Sequence, residues 1–192
     1  MTTILGLDIS SSSTGWAVLV DGYLINKTDC GSIKMKQDTH GERLCFLEPK
    51  LTDLITSYKP DLIIVEDMFL SFKNPRTVIT LAHYHGLVRQ VVWKTRGEDM
   101  AHYTVSDIRK ILGSAFNVNL LPGKREKLES GLDGKHLTFD LMKKIFKLDD
   151  FEFKKHNDAT DALAVALARH LIGTGRELPP EKPKTKSKKS KG

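Results

Sequence analysis

The sequence of 192 residues, 40% hydrophobic and 28% charged, is long enough for one sizeable core but short for two full domains. No apolar run approaches the roughly 20 residues of a membrane span, and the N-terminus lacks the pattern of a signal peptide. We therefore expect an intracellular, cytoplasmic protein that has no membrane partner. The two cysteines, Cys30 and Cys45, lack the spacing of a zinc site or a disulfide framework.

The formal net charge of +6 is concentrated at the C-terminus. From Thr174 onward, seven Lys and Arg residues outnumber two Glu residues, which gives this segment a net charge of +5. Residues 174–192 are rich in Pro and Lys and have almost nothing to bury, so we predict a disordered basic tail after a folded domain of residues 1–173. Such a tail can bind a nucleic-acid backbone, although basic tails also serve for solubility alone.

The first half of the chain predicts three strands, a helix and a fourth strand. The Asp21-Gly22 pair is a strong hairpin signal, so the first three strands should be antiparallel. Apolar residues at helical spacing follow, and Pro60 ends that helix. The run DLIIVE then suits a central strand that is covered on both faces. The predicted strands are 3–8, 15–20, 23–33 and 61–66, and the helix is 42–58.

The second half predicts mainly helices. Helices are expected over 77–94, after Ser106 as an N-cap, over 137–146 and over 157–172 with Asn157 as its N-cap. A short strand is expected over 102–105 and a loop over 113–134. This order predicts an α/β fold in which a mixed sheet, three antiparallel strands followed by parallel strands, is flanked by helices.

Acidic residues stand at the ends of the two strands that should be central. Asp8 ends the first strand and Glu66 ends the fourth. If these strands pair in parallel, the two carboxylates lie about 5 Å apart and repel each other unless a cation is bound between them. The sequence therefore predicts a charged site at this edge of the sheet.

A second acidic pair, Asp158 and Asp161, lies three residues apart at the predicted start of the last helix. In isolation, such a pair is ordinary compensation of the helix dipole. Together with Asp8 and Glu66 it forms a set of hard oxygen donors, which suits Mg²⁺, or Mn²⁺ as a substitute, rather than zinc. Two such ions about 4 Å apart are a common apparatus for phosphodiester hydrolysis.

The stretches LGLDISSSSTGWAVL, DLIIVEDMF and NDATDALAVALARH, in this order, resemble the RuvC family of Holliday junction resolvases, nucleases of the RNase H-like fold. The resemblance covers about residues 3–172. It implies that Asp8, Glu66, Asp158 and Asp161 are catalytic and bind the metal ions. Lys135 matches the catalytic-site lysine, Phe69 an aromatic residue that acts at the junction centre, and Arg109 or Lys110 a second basic residue near the DNA.

The sequence departs from the bacterial resolvases directly after Asp8. They usually have Pro-Gly there, whereas this chain has Ile9 and Ser10, and it also carries the lysine-rich tail. Both features fit a phage-type relative, which would act in the bacterial cytoplasm. We expect Ser10, Ser13 and Thr14 to lie beside the metal ions and contact a DNA phosphate, with a simple polar hairpin turn as the alternative.

The resemblance implies a metal-dependent endonuclease that resolves four-way or three-way DNA junctions in recombination, repair or phage DNA processing. It implies no nucleotide cofactor, and it implies a homodimer with one active site for each of two symmetric strands. The broad apolar face of the predicted helix over 77–94 could supply the dimer interface. The alternative is a helix that is fully buried in a monomer.

Two other functions remain open from the sequence. An ATPase or sugar-kinase-like protein can begin with a similar Asp, a serine loop and Thr-Gly, but such enzymes normally need two related domains. An architectural DNA-binding protein could combine the basic tail with an inactive nuclease fold, although four intact acids argue against this. An ATP hydrolysis assay would test the first alternative, and deletion of the tail would test the second.

Overall fold

The computed structural model describes residues 1–68, 74–123 and 131–174. The strands are β1 (Thr3–Ile9), β2 (Ser13–Val20), β3 (Cys30–Lys34), β4 (Leu62–Glu66) and β5 (Ala101–Tyr103). The α-helices of the described residues are α1 (His40–Tyr58), α2 (Pro75–Arg96), α3 (Val105–Phe116), α4 (Gly134–Phe146) and α5 (Phe153–Gly173). All five strands form one sheet in the order β3-β2-β1-β4-β5.

The sheet is mixed, as predicted. β1 and β2 pair antiparallel, as do β2 and β3, whereas β4 pairs parallel to β1 and β5 parallel to β4. The predicted Asp21-Gly22 turn is confirmed, since both residues have positive φ angles of 48° and 84° and Val20 bridges to Tyr23 across them.

The third strand is shorter than the predicted range of 23–33, which is wrong at its N-terminal end. Lys27–Asp29 forms a 3₁₀ turn instead, and hydrogen bonds to the Asp29 carboxylate hold this turn in place. The Asn26 backbone N–H donates to Asp29 Oδ2 at 2.9 Å, and Tyr58 Oη donates to Asp29 Oδ1 at 2.9 Å. Such local side-chain bonds compete with sheet pairing, so β3 begins only at Cys30.

Alternate residues of the central strands contribute to two separate cores, one on each face of the sheet. In β1, Ile4 packs with α3, α4 and α5, whereas Leu5 and Leu7 pack with α1 and α2. In β4, Ile64 joins the first core and Val65 the second. Because side chains alternate along a strand, Asp8 and Glu66 share the α5 face with Ile4 and Ile64.

The predicted N-caps of α3 and α5 and the predicted end of α3 are wrong. Thr104, not Ser106, caps α3, because Thr104 Oγ1 accepts from the Asp107 N–H at 3.1 Å. The helix continues to Phe116, which shortens the predicted loop over 113–134, and residues 124–130 of that loop lie outside the described residues. α5 begins at Phe153 after Glu152, so Asn157 lies inside the helix and is not its N-cap.

α2 packs on the sheet with one face and exposes the other. Tyr84 and Val88 are fully buried, whereas Ile79 is 58% and Trp93 60% exposed. The alternative of a fully buried helix is therefore wrong for this chain. Within the described residues, none of the helices combines the length and apolar character needed to cross a bilayer.

Candidate active site

The parallel pairing of β1 and β4 brings Asp8 and Glu66 side by side. The register pairs Leu7 with Val65, and the next residues in each strand are Asp8 and Glu66. Both side chains are partly buried and lie on the α5 face. The predicted adjacency of the two strand ends is thus confirmed, and it follows from apolar runs that place the acids at equivalent strand positions.

α5 carries Asp158 and Asp161 across the same edge of the sheet. Two glycines allow the close approach, because a Cβ atom on Gly6 would overlap the Ala162 carbonyl and one on Gly15 would overlap the Asp158 carbonyl. Since α5 begins five residues before Asp158, the acidic pair does not lie in the first helical turn. Compensation of the helix dipole therefore does not explain these carboxylates.

Two basic side chains, one from α3 and one from α4, reach the acid cluster that Asp8, Glu66, Asp158 and Asp161 form. Lys135 Nζ lies 2.8 Å from Asp161 Oδ2, and Lys135 is held in the first turn of α4 by Asp133, whose Oδ1 accepts from the Lys135 N–H at 2.9 Å. The Arg109 guanidinium packs against the backbone at Gly134, and its charge acts on both Glu66 and Asp161. Lys110 instead lies 3.5 Å from Asp107 on the surface of α3.

The two cations do not balance the four carboxylates. Burial raises the pKa of Asp8 well above its ordinary value, and the charges of Glu66, Asp161 and Asp158 raise it further. Burial, together with Asp161, raises the pKa of Glu66 from 4.5 to about 7. Burial also raises the pKa of Asp161 despite the nearby Lys135. Carboxylates that repel each other in this way favour a bound cation.

The chemistry of the donor set fits a hard divalent metal ion, because carboxylate oxygens are its preferred ligands. The side-chain positions do not form a closed cage, since no three His, Cys, Asp or Glu side chains of the described residues meet as a metal-binding group. The Lys135 ammonium and the Ser13 hydroxyl hold Asp161 and Asp158 instead. Metal binding therefore requires Asp161 to exchange its contact with Lys135 for the ion, whereas Asp158 can keep its bond to Ser13 through Oδ2.

The serine loop, residues 10–13, connects β1 to the four acids through hydrogen bonds within the protein. Ser10 Oγ donates to the Ser13 carbonyl at 2.7 Å, and Ser13 Oγ donates to Asp158 Oδ2 at 2.6 Å. Thr14 is fully buried, which is incompatible with the predicted contact between its side chain and DNA. The pairing of Ser13 with Asp158, like the roles of Gly6 and Gly15, was missed from the sequence.

Two predicted DNA contacts involve residues that the structure does not describe. Phe69 lies outside the described residues, as does the tail after Thr174. Their predicted contacts with DNA stay predictions.

A cavity of about 420 Å³ lies on the opposite face of β4, under α2. Asp67, His85, Arg89 and His102 line it. Arg89 Nη2 lies 3.1 Å from His102 Nε2, and a guanidinium can only donate in such a contact. The Nδ1 atoms of His85 and His102 are buried without a hydrogen-bond partner among the described residues. Burial, together with the nearby His102, lowers the pKa of His85 to about 4.

The matching family model and the relatives that are similar in sequence have the same description. The family model described as "Crossover junction endodeoxyribonuclease RuvC" matches residues 4–119. A protein of that name from Campylobacter curvus is 30% identical over 168 residues, which are 85% of this chain and 93% of the relative. Another from Actinobacillus succinogenes is 29% identical over 174 residues, which are 90% of this chain and 81% of the relative.

The fold matches a solved structure from the same family. The structure titled "T. thermophilus RuvC in complex with Holliday junction substrate" aligns with a TM-score of 0.66 and 17% identity. The alignment covers 94% of this chain and 100% of that chain. At this identity the likeness concerns the fold alone.

Proposed function

The chain belongs to the RuvC family of crossover junction endodeoxyribonucleases, and from that premise we propose that it hydrolyses branched DNA with Asp8, Glu66, Asp158 and Asp161. The family is one of metal-dependent nucleases, so a divalent ion belongs to the reaction. The observation that carries the residue assignment is the convergence of acids from β1, β4 and α5, among which burial and repulsion raise the pKa values of Asp8, Glu66 and Asp161.

The four carboxylates would hold two Mg²⁺ ions, for which Mn²⁺ can substitute. The chemistry that such ions supply is a more acidic attacking water and stabilisation of the departing oxygen. Asp8 is central to this set because its pKa is raised by all three other acids. An amide at this position would keep the shape of the side chain but remove the charge that binds a cation.

Lys135 and Arg109 would act on the DNA phosphate. Although burial alone lowers the pKa of Lys135, the charges of Asp161, Asp8 and Asp158 raise it above its ordinary value, so the side chain stays positive. When the carboxylates are neutralised, the Lys135 ammonium is available to stabilise negative charge that develops on the scissile phosphate. Arg109 extends the same positive region from α3.

We propose a homodimer as the unit that acts on a four-way or three-way junction. The exposed face of α2 carries Ile79 and Trp93, two of the most exposed large apolar side chains of the described residues. A two-fold interface through this face would give two active sites related by symmetry, which matches two symmetric strands of a four-way junction. Phe69, just before this helix, would contact the junction centre.

The experiment that tests this function is cleavage of end-labelled four-way junction, three-way junction and linear duplex DNA, with Mg²⁺ or with EDTA. We expect paired nicks at symmetric positions of opposing junction strands, only with the metal ion. Linear duplex should stay intact, because it lacks the crossing strands.

Two outcomes would contradict the proposal. Tight binding of the junction without nicks in Mg²⁺ or Mn²⁺, lost on deletion of residues 175–192, would indicate an architectural protein that binds through its tail. If the chain is instead a nuclease, that deletion should only weaken binding and reduce its salt dependence. Hydrolysis of ATP without junction binding would indicate the phosphate-binding alternative.

A further inference from the structure

The serine loop reaches the acid cluster through one short hydrogen bond. Ser13 is the first residue of β2, and its Oγ donates to Asp158 Oδ2 at 2.6 Å. A hydroxyl bound to a carboxylate at about this distance forms a charge-assisted bond, which is stronger than a bond between neutral groups. The bond fixes the orientation of the Asp158 carboxylate and uses one lone pair of Oδ2, so Oδ1 is the oxygen more open to a cation.

Ser10 forms hydrogen bonds with both the backbone N–H and the backbone carbonyl of Ser13. The Ser13 N–H donates to Ser10 Oγ at 3.1 Å, and the Ser13 carbonyl accepts from Ser10 Oγ at 2.7 Å and from the Ser10 N–H at 3.0 Å. The Ser13 side chain therefore starts from a fixed backbone, and its hydroxyl is oriented before any ligand binds.

The position of α5, which carries Asp158, is also fixed by close packing. Gly15 lies two residues after Ser13, and the Asp158 backbone rests on it so closely that a Cβ atom would not fit. The distance between Ser13 and Asp158 is thus set by contact between β2 and α5. Ser12, by contrast, is exposed, and its hydroxyl makes no hydrogen bond within the described residues.

We propose that Ser13 is a positioning residue of the active site, which holds Asp158 so that one defined carboxylate oxygen faces the metal ion. This inference rests on the proposed function. Mg²⁺ demands nearly ideal octahedral geometry, so a ligand held in one orientation binds it better than a freely rotating one. Groups that hydrogen-bond to metal ligands typically contribute about 10- to 100-fold to metal affinity or activity.

The test compares Ser13→Val with Ser13→Thr. These two variants have the same shape and suit a strand, but only threonine keeps the hydroxyl. Mn²⁺ binding to the metal-free protein is measured from the EPR signal of free Mn²⁺, and nicking of a four-way junction is titrated with Mg²⁺. We expect Ser13→Val to weaken Mn²⁺ binding about tenfold and to raise the half-saturating Mg²⁺ concentration by a similar factor.

The controls separate positioning from folding and from DNA contact. Ser13→Thr and Ser12→Ala should bind Mn²⁺ like the unaltered protein, and Ser13→Val should keep its junction affinity in EDTA. Ordinary Mn²⁺ affinity in Ser13→Val would overturn the inference, and so would a loss of junction affinity alone, which would place the hydroxyl on a DNA phosphate. If the unaltered protein neither binds Mn²⁺ nor nicks the junction, the proposed function itself fails.

Discussion

Glu66 and Asp67 are consecutive acidic residues on opposite faces of the sheet, and their surroundings differ sharply. Glu66 lies on the α5 face with three other carboxylates, and its pKa is raised to about 7. Asp67 lies on the α2 face, where its Oδ1 accepts from the Met68 N–H at 2.9 Å and 46% of the side chain is exposed. One face therefore concentrates like charges, whereas the other leaves its acid in contact with water.

The basic groups on the two faces show the same contrast. On the α2 face, Arg89 Nε lies 3.1 Å from Asp99 Oδ1, and Asp67 Oδ1 lies 3.9 Å from His102 Nδ1, so each acid has a basic group beside it. On the α5 face, Lys135 and Arg109 confront four acids. An unbalanced cluster costs folding free energy, so its presence indicates a function that the α2 face need not share.

The largest expected difference between the faces is in catalysis. Asp8→Asn should reduce nicking of a four-way junction by at least about 10³-fold, because the amide cannot supply the charge that binds a divalent ion. Junction affinity measured in EDTA should stay within about threefold of the unaltered protein. Single-turnover nicking and a gel-shift assay measure the two quantities.

Asp67→Asn is the matched control, since it makes the same chemical change on the other face of the same sheet edge. We expect its nicking rate to stay within about twofold. An equal loss in both variants would mean that the sheet edge as a whole, rather than the α5 face, supports the reaction.

The second difference concerns the cation in the cluster. Lys135→Met should slow nicking about 100-fold, because the ammonium no longer stabilises charge on the phosphate. It should also destabilise the metal-free protein by about 1–2 kcal/mol, less than for a fully buried ion pair because Lys135 is partly exposed. Lys155→Met is the control, because Lys155 Nζ also lies 2.8 Å from a carboxylate, that of Glu152, but on the exposed surface of α5. Its effect on urea unfolding should be much smaller, because water screens this exposed ion pair. Equal effects in urea unfolding would contradict a special role for the cluster.

The third difference is a dependence of stability on pH. The pKa of Glu66 is raised from 4.5 to about 7, so the folded protein keeps a proton that the unfolded chain has released in this window. The free energy of unfolding should therefore fall as the pH rises from about 4.5 to about 7 in EDTA. The raised pKa values of Asp8 and Asp161 act in the same direction.

Thermal unfolding in EDTA between about pH 5 and pH 8 measures this dependence. Glu66→Gln should flatten the curve, and saturating Mg²⁺ should flatten it in the unaltered protein, because a bound cation removes the repulsion. A curve that Glu66→Gln leaves unchanged would show that Glu66 does not titrate in this range.

Much of the fold and of the acid set could be predicted because the signals are local. Apolar runs marked β1 and β4, and the acids at their ends identified the edge of the sheet at which they meet. The start of α5 was not predictable in this way, because it depends on tertiary contacts. Phe153 stacks on His136 with ring centroids 3.9 Å apart and packs edge-on against Phe139. These contacts extend α5 by one turn on the N-terminal side of Asn157.

The contacts between side chains within the site could not be predicted from the sequence either. Ser13 and Asp158 are 145 residues apart, and nothing near either residue indicates that they bond. Gly6 and Gly15 matter because α5 lies directly on them, which only the packed structure reveals. Residue types at strand ends thus predicted which chemistry is present, whereas the positions of the side chains depend on contacts between distant elements.

The smallest expected effect is on the α2 face. His85 is 7% exposed, and its Nδ1 has no hydrogen-bond partner among the described residues, so His85→Phe would remove an unsatisfied nitrogen but keep the ring beside His102. We expect the unfolding free energy to stay the same or rise by up to about 1 kcal/mol, which raises the thermal midpoint by roughly 2–4 °C. Nicking should be unchanged. A variant that folds but no longer nicks the junction would place the histidine cavity in the reaction, and both faces of the sheet would then contribute to nicking.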